Sequence, residues 1–253
     1  MLPLFAYAED GTHRRENITD WALKQFRSHY GDPSITKWDI FHYVYAVLHH
    51  PEYRERYAAN LRRELPRIPF VGTTTLNDCH SESASAGEES AVASARKKQI
   101  PRSARNDKLS VVDVFRTFVK AGQRLAEIHV HYERQPEYPL TKTEKAGEKL
   151  DYRVEKMKLS KDKTTLVYNR FLTLSEIPPE TYEYRLGNRS ALEWIVDQYQ
   201  VSTDKRSGIV NDPNREDDPQ YILRLIGQVI RVSLETVKIV KSLPPLGIET
   251  DAV

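Results

Sequence analysis

Lysine, arginine and asparagine side chains in the later half of this sequence carry its clearest chemistry. Between positions 142 and 163 stand Lys142, Lys145, Lys149, Arg153, Lys156, Lys158, Lys161 and Lys163. Such cations attract phosphate whatever the base sequence. Reading a base needs forked or amide donors on short, rigid projections, as when arginine meets guanine or asparagine meets adenine. The pairs Asn169-Arg170, Asn188-Arg189 and Lys205-Arg206, with Asn211 and Asn214, offer such donors beside turn-forming residues. The residues singled out for nucleic-acid contact are therefore Lys158, Lys161, Lys163, Asn169, Arg170, Asn188, Arg189, Lys205, Arg206 and Asn211. The same residues also have a plain structural reading. Gly-Asn pairs favour turns, and Asn211-Asp212-Pro213-Asn214 is turn chemistry.

Other chemistry is poorly supplied. The chain has no G-x-x-x-x-G-K-[ST] cradle for a nucleotide triphosphate and no glycine-rich loop after a strand for a dinucleotide or a methyl donor. It has no G-x-S-x-G nucleophile elbow. The lone Cys79 leaves no Cys/His set with zinc spacing. His42, His49 and His50 crowd one stretch, and His42 and His49, seven apart, share a helical face. No carboxylate arrangement beside them makes a metal site, so they read as polar-edge histidines. His129 and His131 are two apart and point different ways. Asp151 and Glu155 with Lys156 and Lys158 have the residue types of an acidic-and-lysine nuclease core, but alternating charges are equally the exposed face of a strand. Neither a catalytic residue, a metal ligand nor a cofactor site is expected.

The charge balance agrees with a local rather than a global basic surface. Of 253 residues, 39% are hydrophobic and 29% charged, with a net charge of +2. Any nucleic-acid surface must come from clustering. One cysteine rules out an internal disulfide framework and fits a reducing compartment. No apolar run approaches the ~20 residues that span a bilayer, and the opening MLPLFAYAEDG is too short for a secretory signal and has no basic region before its apolar residues. The expected setting is cytoplasmic, with no membrane partner.

The positioning elements follow from periodicity. Asn17 or Thr19 opens a helix to Tyr30, with Trp21, Ala22, Gln25 and Phe26 on a face and Gly31 after its end. The central element is WDIFHYVYAVLHHPEYRERYAANLRRELPRIPF, 38–70, a helical hairpin. Thr36 and Asp39 have capping-box spacing. Ile40, Phe41, Val44, Val47 and Leu48 recur at helical intervals. Pro51 starts the second helix, and Leu65-Pro66-Arg67-Ile68-Pro69-Phe70 ends it in extended form. Residues 71–108 are small and polar and read as a disordered insert. Its CHSESASAGEESA and KKQIPRSARNDK also look like a bacterial intergenic repeat translated in frame. Its Arg96, Lys97, Lys98, Arg102, Arg105 and Lys108 are DNA-contact candidates or a solvated linker. Ser110 and Asp113 cap another helix to Tyr132. Glu133–Lys149 reads as a polar connection and domain boundary. Tyr152–Leu159 alternates as a strand. Thr164–Asn169 and Phe171–Leu174 read as a second strand kinked at Asn169-Arg170, and Tyr182–Leu186 as a third. Ser190 and Glu193 cap a further helix. After the irregular loop 200–218, Tyr221–Leu243 is apolar nearly all round, so it is buried or docks on another domain. The expectation is an α+β fold: a helical N-terminal half (1–135) followed by a small antiparallel β-meander with flanking helices, and a sheet-plus-helix DNA-recognition region at 150–243.

Longer motifs sharpen this. D-I-F-x-Y-x-Y-A-V-L-H-x-P-x-Y-R-x-x-Y within 36–70, with its PRIPF exit, is one. The runs YRVEKMKLSKDKTTLVYNRFLTLSEIPPETYEY, RSALEWIVDQYQVSTDKRSGIVNDPN and VIRVSLETVKIVKSLP are others. Together they resemble the C-terminal region of type ISP restriction–modification enzymes, over nearly all of 1–243 except the insert. That family joins a nuclease, a helicase-like ATPase motor and an adenine methyltransferase to a C-terminal specificity domain. The resemblance implies a non-enzymatic target-recognition module that binds duplex DNA and has methyltransferase and ATPase motor domains as partners. LPLFAY looks like the connection just past the methyltransferase core. The helical half would dock to the methyltransferase or brace the second half. The alternative is a structural interaction domain, docked through the aromatic hairpin and the apolar last helix, with little DNA contact of its own. An exposed apolar face on Tyr221–Leu243 would favour it. No motor, nuclease or methyltransferase motif stands in this sequence.

Overall fold

The computed structural model describes residues 3–72 and 110–247. The expected disordered insert at 71–108 lies outside the described residues apart from Val71 and Gly72, as do Cys79 and the basic cluster Arg96–Lys108. The architecture is α+β. It comprises two compact units, one of residues up to Lys120 with Pro244 onward, the other Ala121–Leu243.

The first unit is helical. A two-residue hairpin, β1 (Phe5–Ala6) and β2 (Arg15–Glu16), precedes α1 (Asp20–Tyr30), α2 (Lys37–His49) and α3 (Pro51–Arg56). Thr19, not Asn17, caps α1, through its side chain to the Ala22 N–H. Asn17 instead donates its amide to the Pro3 carbonyl at 2.9 Å. Thr36 and Asp39 form the expected reciprocal capping box, which satisfies two orphan donors at once. Ser110 and Asp113 cap α4 (Val111–Val130) in the same way. The core is aromatic: Phe26, Tyr30, Tyr43, Phe115 and Phe118 are all buried, and the Tyr30 and Phe115 rings stack at 4.5 Å. Tyr43 donates to the Pro69 carbonyl and, with Tyr30, accepts from the Val71 N–H, which satisfies the backbone of the proline-fixed exit. The polar-edge reading fails for His50. His50 is buried and its Nε2 lies 3.2 Å from the Pro244 carbonyl oxygen, while His42 stacks on Trp38. Among the described residues no group of His, Cys, Asp and Glu could hold a metal ion.

The second unit holds the sheet. β3 (Thr141–Glu144), β4 (Lys158–Leu159), β5 (Leu166–Val167) and β6 (Leu172–Ser175) make a four-stranded antiparallel sheet in the order β3-β6-β5-β4. The register places Lys142 opposite Leu174, and Leu166 opposite Leu174 on the other side. β7 (Arg185–Leu186) and β8 (Arg189–Ser190) form a separate hairpin that runs into α5 (Ala191–Gln198). A further hairpin, β9 (Ser202–Thr203) and β10 (Val210–Asn211), leads on to α6 (Tyr221–Lys241). Leu166, Leu172 and Leu174 from the sheet bury against Leu192 of α5 and Ile222, Leu225, Ile226 and Ile230 of α6. Gly227 lets α6 pass close to the chain at Glu137. A Cβ there would meet the Glu137 Cβ at 3.0 Å, and the Gly227 carbonyl accepts from the Tyr138 N–H.

Several strand expectations are corrected. Only Lys158–Leu159 of the expected strand Tyr152–Leu159 pairs in the sheet. Its buried residues are Val154 and Met157, three apart, so the apparent alternation does not describe which side faces inward. Side chains replace a neighbouring strand: the Asn214 amide pairs with both the N–H and the C=O of Val154, and Asn169 accepts no strand role but donates to the Asp151 and Arg153 carbonyls. The "kinked" second strand is a hairpin, β5 paired with β6, because Asn169 Oδ1 takes the N–H groups of Phe171 and Leu172 and reverses the chain. The expected third strand shrinks to β7, which pairs with β8 and not with the meander, since Pro179–Tyr182 turns as a 3₁₀ helix first. The stretch 133–149, read as a connection, contains β3.

Candidate nucleic-acid interface

The basic residues are set by two hairpins and one helix. The β4–β5 turn is tied by Asp162, whose carboxylate accepts from the Ser160 hydroxyl and from both the N–H and hydroxyl of Thr164. This presents Lys158, Lys161 and Lys163 around a small fixed loop, with Lys163 at φ 59°. The β7–β8 hairpin closes through Gly187 and Asn188 alone. Gly187 has φ +74°, which suits the first position of a type II′ turn. Ser190 ends that hairpin and caps α5 through a full capping box with Glu193. The Trp194 indole N–H donates to the Leu186 carbonyl at 2.9 Å, so hairpin and helix are fastened together.

Between these elements lies an open cleft of about 410 Å³. Lys156, Lys163, Arg185 and Arg189 line it, with Asn188 and Gln200 as amide groups and Glu193 and Asp197 as acids. The acids stand one helical turn apart on α5 and hold two of the cations. Lys163 Nζ is 2.7 Å from Glu193, and Arg189 Nη1 is 2.6 Å from Asp197. Lys163 and the Ser190 backbone N–H pull the Glu193 carboxyl down to about 2, and the Arg189 guanidinium holds Asp197 below its ordinary value.

A depressed carboxylate stabilises the folded state above its ordinary pKa, and that contribution disappears as pH falls through the folded value. Glu193 therefore supports the second unit fully above about pH 4.5 and loses its contribution by about pH 2. The thermal midpoint of a Glu193→Gln variant should lie below the parent's at neutral pH, and the two should converge over that acid window. Parallel curves across the window would remove Glu193 from the acid response.

Of the ten residues singled out by sequence, the cleft gathers Lys163, Asn188 and Arg189. Lys158 and Lys161 belong to the β4–β5 hairpin but do not line the cleft, and Arg170 lies over the Phe171 ring. Lys205, Arg206 and Asn211 sit exposed on the β9–β10 hairpin. Asn169 differs from the rest: both amide hydrogens and two acceptor positions are spent inside the protein. The cleft adds Lys156, counted among the cations of 142–163 but outside the ten, and Arg185, which was not singled out. Arg185 follows the Tyr-Glu-Tyr run and had no turn residue beside it to signal exposure. The acidic-and-lysine set does not assemble, because Glu155 pairs with Arg153 while Lys156 faces the cleft.

The profile of the family described as the Type ISP C-terminal specificity domain matches residues 1–89 and 99–225. The chain belongs to that family. Three solved structures of much larger proteins contain the same fold. A nuclease-deletion mutant of the Type ISP restriction–modification enzyme LlaGI, in complex with a DNA substrate mimic, is 34% identical with a TM-score of 0.67 over 98% of this chain and 18% of its own. The ATP-dependent Type ISP enzyme LlaBIII bound to DNA is 30% identical with a TM-score of 0.70, over 97% of this chain and 14% of its own. A DrdV–DNA complex is 34% identical with a TM-score of 0.69, over 96% and 21%. The specificity-domain chain thus spans about a fifth or less of the length of these relatives. A comparison with curated proteins found no match. Among the described residues no helix is long and apolar enough to cross a membrane.

Proposed function

We propose that this chain is the target-recognition part of a restriction–modification system: it binds duplex DNA at a specific sequence and thereby positions a methyltransferase and an ATP-driven motor–nuclease. The observation that carries this reading is that a chain matched over 96–98% of its length recurs within LlaGI, LlaBIII and DrdV, each solved with DNA or a DNA mimic. The cleft of the second unit supports it, since it combines phosphate-attracting cations with guanidinium and amide forks able to read base edges. In this reading the chain contributes recognition, not catalysis, requires no cofactor, and acts in the cytoplasm. The ten residues read from the sequence fall into three roles. Lys158, Lys161, Arg170, Lys205 and Arg206 hold phosphates. Lys163, Asn188, Arg189 and Asn211 lie nearer the bases. Asn169 builds the frame.

The docking alternative keeps one supporting observation. An apolar groove of about 590 Å³ in the helical unit, lined by Ile18, Phe41, Leu48 and the exposed Leu65, suits a neighbouring methyltransferase domain. The last helix adds less than expected, because Ile222, Leu225, Ile226, Val229 and Ile230 bury in the core of the second unit, while Val237, Ile239 and Val240 toward its end stay half-buried. Selection from a randomised duplex pool, followed by anisotropy titration of the selected and a shuffled duplex over a range of salt, separates the two. Recognition requires tighter binding of the selected duplex by at least ~10³-fold, whereas equal affinity for both leaves the docking role.

A further inference from the structure

We propose that Arg189 reads a guanine from the major groove, and that Asp197 and Trp194 hold its guanidinium in place for that purpose. The proposal rests on the duplex-binding reading and names the element and base it uses.

Rigidity is the first argument. Arg189 sits on a hairpin with a two-residue loop, one position before the residue that caps α5, and directly across from Leu186, whose carbonyl is tied to Trp194. A two-stranded ribbon of this kind fits the major groove. The guanidinium itself is restrained twice, lying 5.2 Å from the Trp194 ring centroid and 2.6 Å from Asp197. Arginine carries five N–H donors, so pairing through Nη1 leaves others for a fork onto O6 and N7 of guanine. The side chain keeps 42% of its exposure, and Asn188 at the hairpin tip is exposed beside it.

Charge is the second argument. A cation meant for phosphate gains nothing from a carboxylate beside it, since that carboxylate repels the backbone. Both acids of the cleft lie on α5, Glu193 against Lys163 of the β4–β5 turn and Asp197 against Arg189 itself. That arrangement disfavours phosphate at Arg189 and leaves the neutral base edge as its partner. Asp197 acts through Arg189 and is a positioning residue.

Sequencing the bound fraction of a randomised duplex pool, with the full chain and its Arg189→Lys and Asp197→Asn variants, tests this. Arg189→Lys keeps the charge and removes the fork. Preference for guanine should fall roughly 5- to 100-fold at one base pair and stay at the other positions. Asp197→Asn should weaken preference at that same base pair while sequence-independent affinity rises, because a negative charge has left the surface; a merely structural aspartate would not shift both. A parental profile retained in full by Arg189→Lys overturns the guanine assignment and leaves the proposed function standing. A parent chain with no preference for any duplex overturns both.

Discussion

A chain carrying Lys156→Gln, Lys158→Gln and Lys161→Gln will bind every duplex more weakly, by roughly a hundredfold at about 0.15 M salt, and the slope of log affinity against log salt will shrink by about 2–3. These three lysines are exposed, and among the described residues none is paired with a carboxylate. Lys163, Arg153 and Arg189, by contrast, already neutralise Glu193, Asp212 and Asp197. A cation free of a partner carries its whole charge to the phosphate and releases a counterion there. A paired cation must first give up its carboxylate. The loss should be alike for selected and shuffled duplexes, because phosphate contacts fix position without reading sequence. Glutamine keeps a flexible polar side chain one atom shorter, and all three positions are exposed, so folding should be spared. Anisotropy titration at several salt concentrations gives both numbers, and an unchanged slope would place these lysines away from the DNA.

Asn169→Ala will destabilise the second unit by about 2–4 kcal/mol. The Asn169 side chain donates to the Asp151 and Arg153 carbonyls at 2.7 and 3.0 Å and accepts from the Phe171 and Leu172 N–H groups at 2.9 Å each. Alanine leaves four backbone groups without those partners, in a turn that joins two core strands. Each such bond contributes roughly 1 kcal/mol net, with more lost where the orphaned group stays shielded from water. Asn169→Asp keeps the acceptor but sets a carboxylate oxygen against the Asp151 and Arg153 carbonyls, so at neutral pH its cost should be at least that of the alanine variant. Urea denaturation followed by circular dichroism measures the series. A stable alanine variant that had lost its DNA preference would return Asn169 to the base-reading set.

The contrast between Asn169 and Arg189 shows how far the residues could be read without the fold. Both stood next to turn signals, and both are capable of base recognition. Nothing within five residues of Asn169 reveals that its amide is consumed by carbonyls 16 and 18 positions earlier. Asn214 hides its role in the same way, completing the backbone of Val154 from 60 positions away. These two amides also explain why Tyr152–Leu159 resembled a strand. At Tyr152, Arg153 and Val154 the backbone is met by side chains rather than by a neighbouring strand. The expected kink at Asn169-Arg170 marked a real event, a reversal of the chain rather than a bend within one strand.

What the sequence determined alone is local. The three capping boxes at Thr36, Ser110 and Ser190, the break at Pro51, the turn at Ser160–Lys163 and the buried face of the last helix all depend on residues three or four apart, whose geometry the backbone dictates. Periodicity and turn signals carried the α+β architecture as well. Only the tertiary structure decided which strands pair, which amides serve the frame and which cations are neutralised. Lys163 meets Glu193 across 30 residues and Arg153 meets Asp212 across 59. Those meetings are set by the burial of Leu166, Leu174 and Leu192 against the last helix, a packing that no local spacing encodes.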